Sequence, residues 1–402
     1  MIKKRRQLTV MGCFWDYHPL FRFFNRAYES MFISFYAPVL RGFVEREKIV
    51  LFEESNATIL LWPFKIIARS IKIFFEIVRF KPHIVISHHD DANISILPVL
   101  FFFKMIPFYS PRFILWIRNN PVQMHKRGVF SLVARFSYHF FFQFADSIVV
   151  QCEKNLDILS SNYPKVARKL RVIPNVYDLN EIKMLAREDI SLDIEELFDG
   201  KFVFINTGRL TEQKGQWHLI RAFKEISLKH PESMLVILGS GELESLLKDL
   251  VKTLSLEGRV HFLGYQSNPF SILSRSNCFV LTSLYEGFPN VLVESLALNL
   301  PIISTNCDSG PRDILSCKGD DVSFYDISYS QYGILIPPFL PEQLCFSSPI
   351  SKDITEQELL LIKAMSQMIS DTSVRERYSR GANRAKDFSV DSSEMQSLLL
   401  DL

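Results

Sequence analysis

The chain has little of what would mark a membrane-spanning, disulfide-linked or metal-organised protein. Its 402 residues include six cysteines, at positions 13, 152, 278, 307, 317 and 345, and no CxxC pair. That sparse usage leads us to expect reduced thiols in a cytosolic protein, without a disulfide or zinc framework. Long apolar runs are also missing. Residues 94–103 are broken by Pro98 and residues 140–144 by Gln143, whereas a transmembrane helix needs roughly 20 apolar residues. The basic start, Met1-Ile-Lys-Lys-Arg-Arg6, is followed by no long apolar segment or small-residue cleavage site, so no signal peptide is expected. There is no low-complexity tract or short repeat. No recognisable nucleic-acid motif is present, and nucleic acid is not an expected partner.

What is present is a globular composition, 48% hydrophobic and 22% charged, on a length that suits two domains. The net charge of +2 conceals a strong division. Residues 1–185 hold 26 Lys+Arg and 14 Asp+Glu, and the remainder holds 20 and 30. A basic, aromatic-rich first half suits an anionic membrane surface or an anionic acceptor.

From residue 83 onward, short buried strands alternate with segments able to form helices. Strands are expected at 83–87, 113–117, 147–151 and 171–175, then at 202–206, 234–239, 260–263, 278–282 and 301–304. This alternation predicts an α/β protein of two doubly wound, Rossmann-like domains facing a cleft, with ligands at the carboxyl ends of the strands. A first domain is expected over 1–182, with a linker near 178–191. A second spans 183–380, and a final helix over 381–402 crosses back to the first. Residues 1–60 show no legible pattern. Over 62–80, Lys65, Arg69, Lys72, Glu76 and Arg79 recur at helical spacing among Ile, Phe, Val and Ala. Two readings fit: a buried helix with one wet stripe, or a helix lying in a membrane interface.

The residues suited to chemistry cluster in the second half. In Thr207-Gly208-Arg209-Leu-Thr-Glu-Gln-Lys214-Gly215, a strand runs into a loop with two cations. Gly208 permits a tight turn, while Arg209 and Lys214 offer a planar fork and a point charge, which is what a diphosphate requires. Gly239 and Gly264 stand at the ends of the next two strands. In Glu286-Gly-Phe-Pro-Asn-Val-Leu-Val-Glu294, Gly287 lies in a turn and Pro289 is expected at the first helical position. The helix N-terminus would then offer free N–H groups over residues 288–292 to a phosphate. Glu286 before the helix and Glu294 in its second turn are too divergent for an acid/base pair and suit hydroxyl groups on either side of the phosphates. His88-His89-Asp90-Asp91 invites a metal reading, but adjacent side chains diverge and no distant ligands complete a set, so no metal is expected.

Glu-x7-Glu after a strand, with Gly-Arg and Lys-Gly upstream, resembles the retaining glycosyltransferases of family 4, which have the two-domain GT-B fold. Supporting fragments are Ala145-Asp-Ser-Ile-Val-Val150, Val172-Ile-Pro-Asn-Val176, Ser309-Gly-Pro-Arg-Asp-Ile-Leu315 and Tyr332-Gly-Ile-Leu-Ile-Pro337, so the similarity runs over 83–388. The resemblance implies a hexosyltransferase using a UDP-sugar donor and no metal or other cofactor. Arg209 and Lys214 would hold the donor diphosphate, and Glu294 the ribose hydroxyls. Glu286, with backbone from Gly287, Phe288 and Asn290 through Val291 and Leu292, would hold sugar and phosphate; Gly208, Gly239 and Gly264 would shape the donor site. The start lacks the Gly-Gly loop of many relatives, and Arg118-Asn119-Asn-Pro121 replaces their His. That departure resembles a branch acting in surface-polysaccharide and lipid-linked glycan assembly, such as lipopolysaccharide, capsule or O-antigen. It makes Arg118 and Asn119 the acceptor-side candidates. The implied partners are a nucleotide-sugar and a lipid-linked or saccharide acceptor, at the inner face of the cell membrane. The competing functions are a UDP-sugar 2-epimerase on the same fold and a non-catalytic subunit of a glycan-assembly complex.

Overall fold

A computed structural model describes residues 6–15, 29–39, 49–51, 62–88, 90–106, 109–118, 136, 138–307, 310–317, 320–340 and 353–401. The chain divides into two compact units, Met1–Tyr177 with Val390–Leu402, and Asp178–Ser389. The first division precedes the expected 182/183 boundary, and the chain re-enters the first unit at 390, later than the expected 381.

Unit 1 is a seven-stranded sheet. Its strands are β1 (Arg6–Trp15), β2 (Glu29–Val39), β3 (Ile49–Leu51), β4 (Ile84–His88), β5 (Arg112–Trp116), β6 (Ser147–Val150) and β7 (Leu170–Val172), in the order β3-β2-β1-β4-β5-β6-β7. Every pairing is parallel. The direction of strand addition reverses between β1 and β4, which is the doubly wound pattern. β4 is buried along its whole length and β5 along all but its first residue, as expected of strands covered on both faces. β1 and β2 fill the stretch that had no legible pattern. The physical reason is that they bury polar residues. Gln7 and Thr9 of β1 are fully enclosed, and Gln7 Nε2 donates to Thr9 Oγ1 at 2.9 Å.

The helix Trp62–Phe80 packs against the helix Asp90–Met105 through Ile66, Ile73 and Ile77. Ser70 Oγ joins them, lying 2.8 Å from Ile66 O and 2.7 Å from Ser95 O. Of the expected wet stripe, Lys72 and Arg79 are exposed, Lys65 and Glu76 are half-buried and Arg69 is buried, and an apolar stripe including Ile67, Ile71 and Phe75 is exposed beside them. No helix among the described residues is long and apolar enough to cross a membrane.

Unit 2 repeats the architecture with β8 (Phe202–Thr207), β9 (Ser233–Leu238), β10 (Val260–Gly264), β11 (Cys278–Leu281), β12 (Ile302–Thr305), β13 (Ser328–Tyr329) and β14 (Ile334–Ile336). Their order is β10-β9-β8-β11-β12-β14-β13, parallel except for the β13–β14 edge pair. The core is Phe204, Leu235, Ile237, Val280 and Ile303, with helix residues Leu219, Phe223 and Met365. The stretch expected as a linker instead opens unit 2 with a helix, Leu179–Leu185. Asp178 caps it, its Oδ1 accepting from the N–H groups of Asn180 and Glu181 at 3.1 and 3.0 Å. The caps satisfy donors that have no intrahelical partner. Cys152, Cys278, Cys307 and Cys317 are free thiols.

Candidate active site

The carboxyl ends of β8, β9 and β10 are packed together by glycine. Gly208 N–H donates to Leu238 O at 3.0 Å, and Gly239 N–H to Gly264 O at 2.8 Å. Gly239 has φ +133°, and a Cβ there would lie 2.0 Å from Gly208 O. No other residue fits at that position. The loop after β8 is drawn onto the loop after β11 in the same way. Gly215 is left-handed, φ +57°, and a Cβ on it would lie 2.5 Å from Thr282 O. Leu284 N–H donates to Gln213 O at 2.8 Å, and Thr282 Oγ1 to Lys214 O at 3.2 Å.

This lacing brings Lys214 Nζ to 2.5 Å from Glu286 Oε1. Ser283 Oγ donates to the same oxygen at 2.7 Å, and Gln213 Nε2 to Tyr285 O at 3.0 Å and Glu286 Oε2 at 3.5 Å. Glu286 is buried and its position is set by three donors. Gln213 and Ser283 are supporting residues that sequence reasoning missed. Each is adjacent to a recognised motif, but its partner comes from another residue's side chain, which spacing does not reveal. Arg209 is different. It is exposed at the end of β8, and while its carbonyl accepts from Gln216 Nε2 at 3.1 Å, its guanidinium makes no hydrogen bond or ion pair with a described residue. The Tyr285 hydroxyl feels it: burial, Glu212 and Glu286 raise that group while Arg209 opposes them.

The helix after Glu286 is Asn290–Ala297, starting one residue later than expected. Pro289 is extended, ψ 96°, and stands as the N-cap rather than the first helical residue. Its carbonyl accepts from Leu292 N–H at 3.0 Å. That bond removes Leu292 from the N–H groups expected to be free and leaves the opening of the helix to Asn290 and Val291. Phe288, Val291 and Leu292 turn their side chains into the core, and the Phe288 ring meets Phe388 edge-on at 5.7 Å. Only their backbone is available to a ligand. Gly310, with φ +82°, backs this turn: a Cβ on it would lie 2.6 Å from Pro289 Cδ and 2.9 Å from Gly287 O. Gly264, φ +68°, has open space where its Cβ would be. Glu294 is half-buried in the second helical turn, and burial pushes its carboxyl up to about 7 while Lys214 pulls it back. Lys214 therefore acts on both glutamates.

In unit 1, Arg118 follows β5. Its guanidinium lies 5.8 Å over the Trp116 ring, and burial lowers it to about 10 with Tyr177 opposing. Its Nε and Nη2 are buried without a hydrogen-bond partner. His88 stacks on Trp116 at 5.1 Å, and Asn93 Nδ2 donates to Trp116 O at 3.1 Å. Asn119, the other acceptor-side candidate, and His89 lie outside the described residues. Asp90 and Asp91 open the helix Asp90–Met105. No group of three or more His, Cys, Asp or Glu suited to a metal occurs among the described residues.

Residues 188–324 match the family described as Glycosyl transferases group 1. The chain is 45% identical over 393 residues to an uncharacterized glycosyltransferase of Methanocaldococcus jannaschii, covering 97% of each. It is 31% identical over 272 residues, 67% of this chain and 64% of the relative, to a Campylobacter jejuni protein. That relative is the N-acetylgalactosamine-N,N'-diacetylbacillosaminyl-diphospho-undecaprenol 4-alpha-N-acetylgalactosaminyltransferase. Among solved structures, HepE of Anabaena in complex with UDP superposes with a TM-score of 0.71 at 15% identity, covering 98% of both chains. The two parallel-sheet units thus have the GT-B fold, and the near-complete match to a glycosyltransferase decides the activity: the chain belongs to the group 1 glycosyltransferases and is an enzyme of that class.

Proposed function

We propose that the chain is a retaining hexosyltransferase of family 4. It moves a hexose or N-acetylhexosamine from a UDP-sugar to a lipid-linked or saccharide acceptor in surface-glycan assembly at the inner membrane face. The observation behind this reading is the cluster at the carboxyl ends of β8 and β11, where Lys214, held 2.5 Å from Glu286, also acts on Glu294, and Arg209 stands free. The departing UDP carries its negative charge away from the sugar. Cations that meet this charge as it develops stabilise the leaving group, and this is the principal way such a site lowers the barrier. Arg209 meets the diphosphate first as a planar fork. Lys214 turns from Glu286 to the phosphates, which frees the Glu286 carboxylate for hydroxyl groups of the sugar, with backbone from Gly287 to Asn290 beside it. Glu294 holds the ribose. The acceptor attacks on the face the diphosphate leaves, so retention needs no enzyme nucleophile, and no metal has a role.

The acceptor side is assigned to Arg118 and Asn119. The Campylobacter jejuni relative, by its name, acts on a diphospho-undecaprenol glycan, and the basic balance of residues 1–185 suits an acceptor of that charge.

The test is transfer from a set of UDP-sugars to membrane extracts. Arg209→Ala, Lys214→Ala and Glu294→Gln are each expected to lower turnover by about 100-fold or more. Their stabilities should differ. Arg209→Ala leaves the melting temperature unchanged, whereas Lys214→Ala lowers it, because the buried Glu286 loses its counter-charge. Near-normal transfer by all three variants removes the assignment.

A further inference from the structure

The helix Trp62–Phe80 buries one apolar face and leaves a second uncovered. Phe64, Ile67, Ile71, Phe75 and Val78 are 69, 58, 53, 63 and 43% exposed. Steps of three and four residues align them in one stripe. Single exposed apolar residues are ordinary, but five in one stripe are not. The stripe is not core turned outward, since Ile66, Ile73 and Ile77 already fill the inward face. It also widens on one side. Phe74 meets Phe102 edge-on at 5.1 Å, and the exposed Phe102 and Met105 extend the surface along the helix Asp90–Met105. The opposite edge is basic: Lys72 and Arg79 are exposed there, and Lys81 follows the helix. Arg79 has one weak local counter-charge, Glu76 at 3.9 Å.

We propose that this face docks the enzyme on an anionic phospholipid surface, with the apolar stripe among the outer acyl segments and the basic edge against headgroup phosphates. An apolar stripe bordered by Lys and Arg is the pattern of a helix that lies in the interface plane. The long stems of Lys72 and Arg79 can follow the apolar surface while their charges reach the phosphates. Charge selects the occupant. Residues 1–185, with 26 basic and 14 acidic residues, repel a second copy of themselves and are drawn to anionic lipid. The surface deepens the lipid-linked acceptor reading and rests on it for its purpose, though its lipid binding can be measured independently.

The experiment is sedimentation of the full chain with phosphatidylcholine vesicles, with and without phosphatidylglycerol. Three proteins are compared: wild type, Ile71→Glu with Phe75→Glu, and Lys72→Glu with Arg79→Glu. UDP binding by calorimetry and oligomeric state by light scattering accompany each. Wild type is expected to bind only the anionic vesicles, and each pair of substitutions to weaken this by about tenfold or more with UDP affinity unchanged. Both pairs lie on the surface, so folding is preserved. The proposal is overturned if wild type fails to bind anionic vesicles, or if the Ile71/Phe75 variant binds as well as wild type. It is also overturned if the stripe proves to be a dimer contact, with wild type dimeric and that variant monomeric. Vesicle binding without UDP binding would remove the donor reading and leave the surface; UDP binding without vesicle binding would do the reverse.

Discussion

Glu294 is the residue whose chemistry is most sensitive to its surroundings. Burial raises its carboxyl to about 7 and Lys214 opposes that rise. In the unfolded chain it would titrate at about 4.3, so near neutral pH the folded protein holds it partly protonated. A ribose diol presents two donors, and a carboxylate accepts both, whereas a protonated carboxyl has lost one acceptor. The ionised form is therefore the competent one, and UDP affinity should rise with pH through 7. A single proton at that position makes the gain about tenfold between pH 6 and pH 8. Calorimetric titration across that range checks it, with Glu294→Gln as the flat comparison. A wild-type affinity that does not vary with pH would detach Glu294 from the ribose. Glu286, by contrast, is held in place by Lys214, Ser283 and Gln213.

At the level of elements, a buried polar junction ties two helices of unit 2 together. Glu358 opens the helix Glu356–Ser370 in a capping box with Thr355. It also meets His218 Nδ1 at 2.7 Å and accepts from Arg221 Nε at 2.8 Å, both on the helix Gln216–Lys229. Burial alone would push the Glu358 carboxyl up, but hydrogen bonds from His218, the Thr355 N–H and Arg221 outweigh it and hold the group below its ordinary value. A depressed carboxyl contributes stability above its unfolded value of about 4.3, and loses it as pH falls through the lower folded value. Thermal unfolding should show Glu358→Ala destabilising unit 2 by about 3 kcal/mol at pH 7, with less acid dependence than wild type. An unchanged melting temperature would show the junction to be dispensable. Its invisibility in sequence is instructive, because Glu358 and His218 are 140 residues apart. What was legible is local. β4, β5, β8 and β9 are short, mostly apolar segments between turn residues, and the donor loop and the Glu286–Glu294 string are contiguous. β1 escaped because Gln7 and Thr9, buried and joined by a hydrogen bond from Gln7 Nε2 to Thr9 Oγ1, imitate a solvated face in the sequence. Pro289 was misplaced by one residue because proline favours the first helical position, whereas its extended ψ of 96° and the bond from Leu292 N–H to its carbonyl make it the N-cap here.

For the whole molecule, the division of charge and the path of the chain bear on one another. The basic unit, with its exposed apolar helix, and the acidic unit, with its donor cluster, are distinct in composition as well as in fold, so lipid and nucleotide can be met by separate surfaces. Yet unit 1 is not complete until the chain has finished unit 2, because Val390–Leu402 returns to it. Val390 N–H donates to Tyr177 O at 2.9 Å, Arg112 Nη2 to Asp401 O at 3.4 Å, and Met395 of the helix Ser393–Leu400 is buried. Removing residues 390–402 takes away a buried methionine, whose loss alone costs about 2 kcal/mol or more, along with those bonds. Unit 2 keeps its own core, including Leu361, Met365 and Tyr378. A chain ending at Ser389 should therefore melt in two steps, the earlier one belonging to unit 1 and the later one still raised by UDP. Calorimetric scans with and without UDP separate these outcomes. A single transition lowered as a whole would mean that the two units unfold as one.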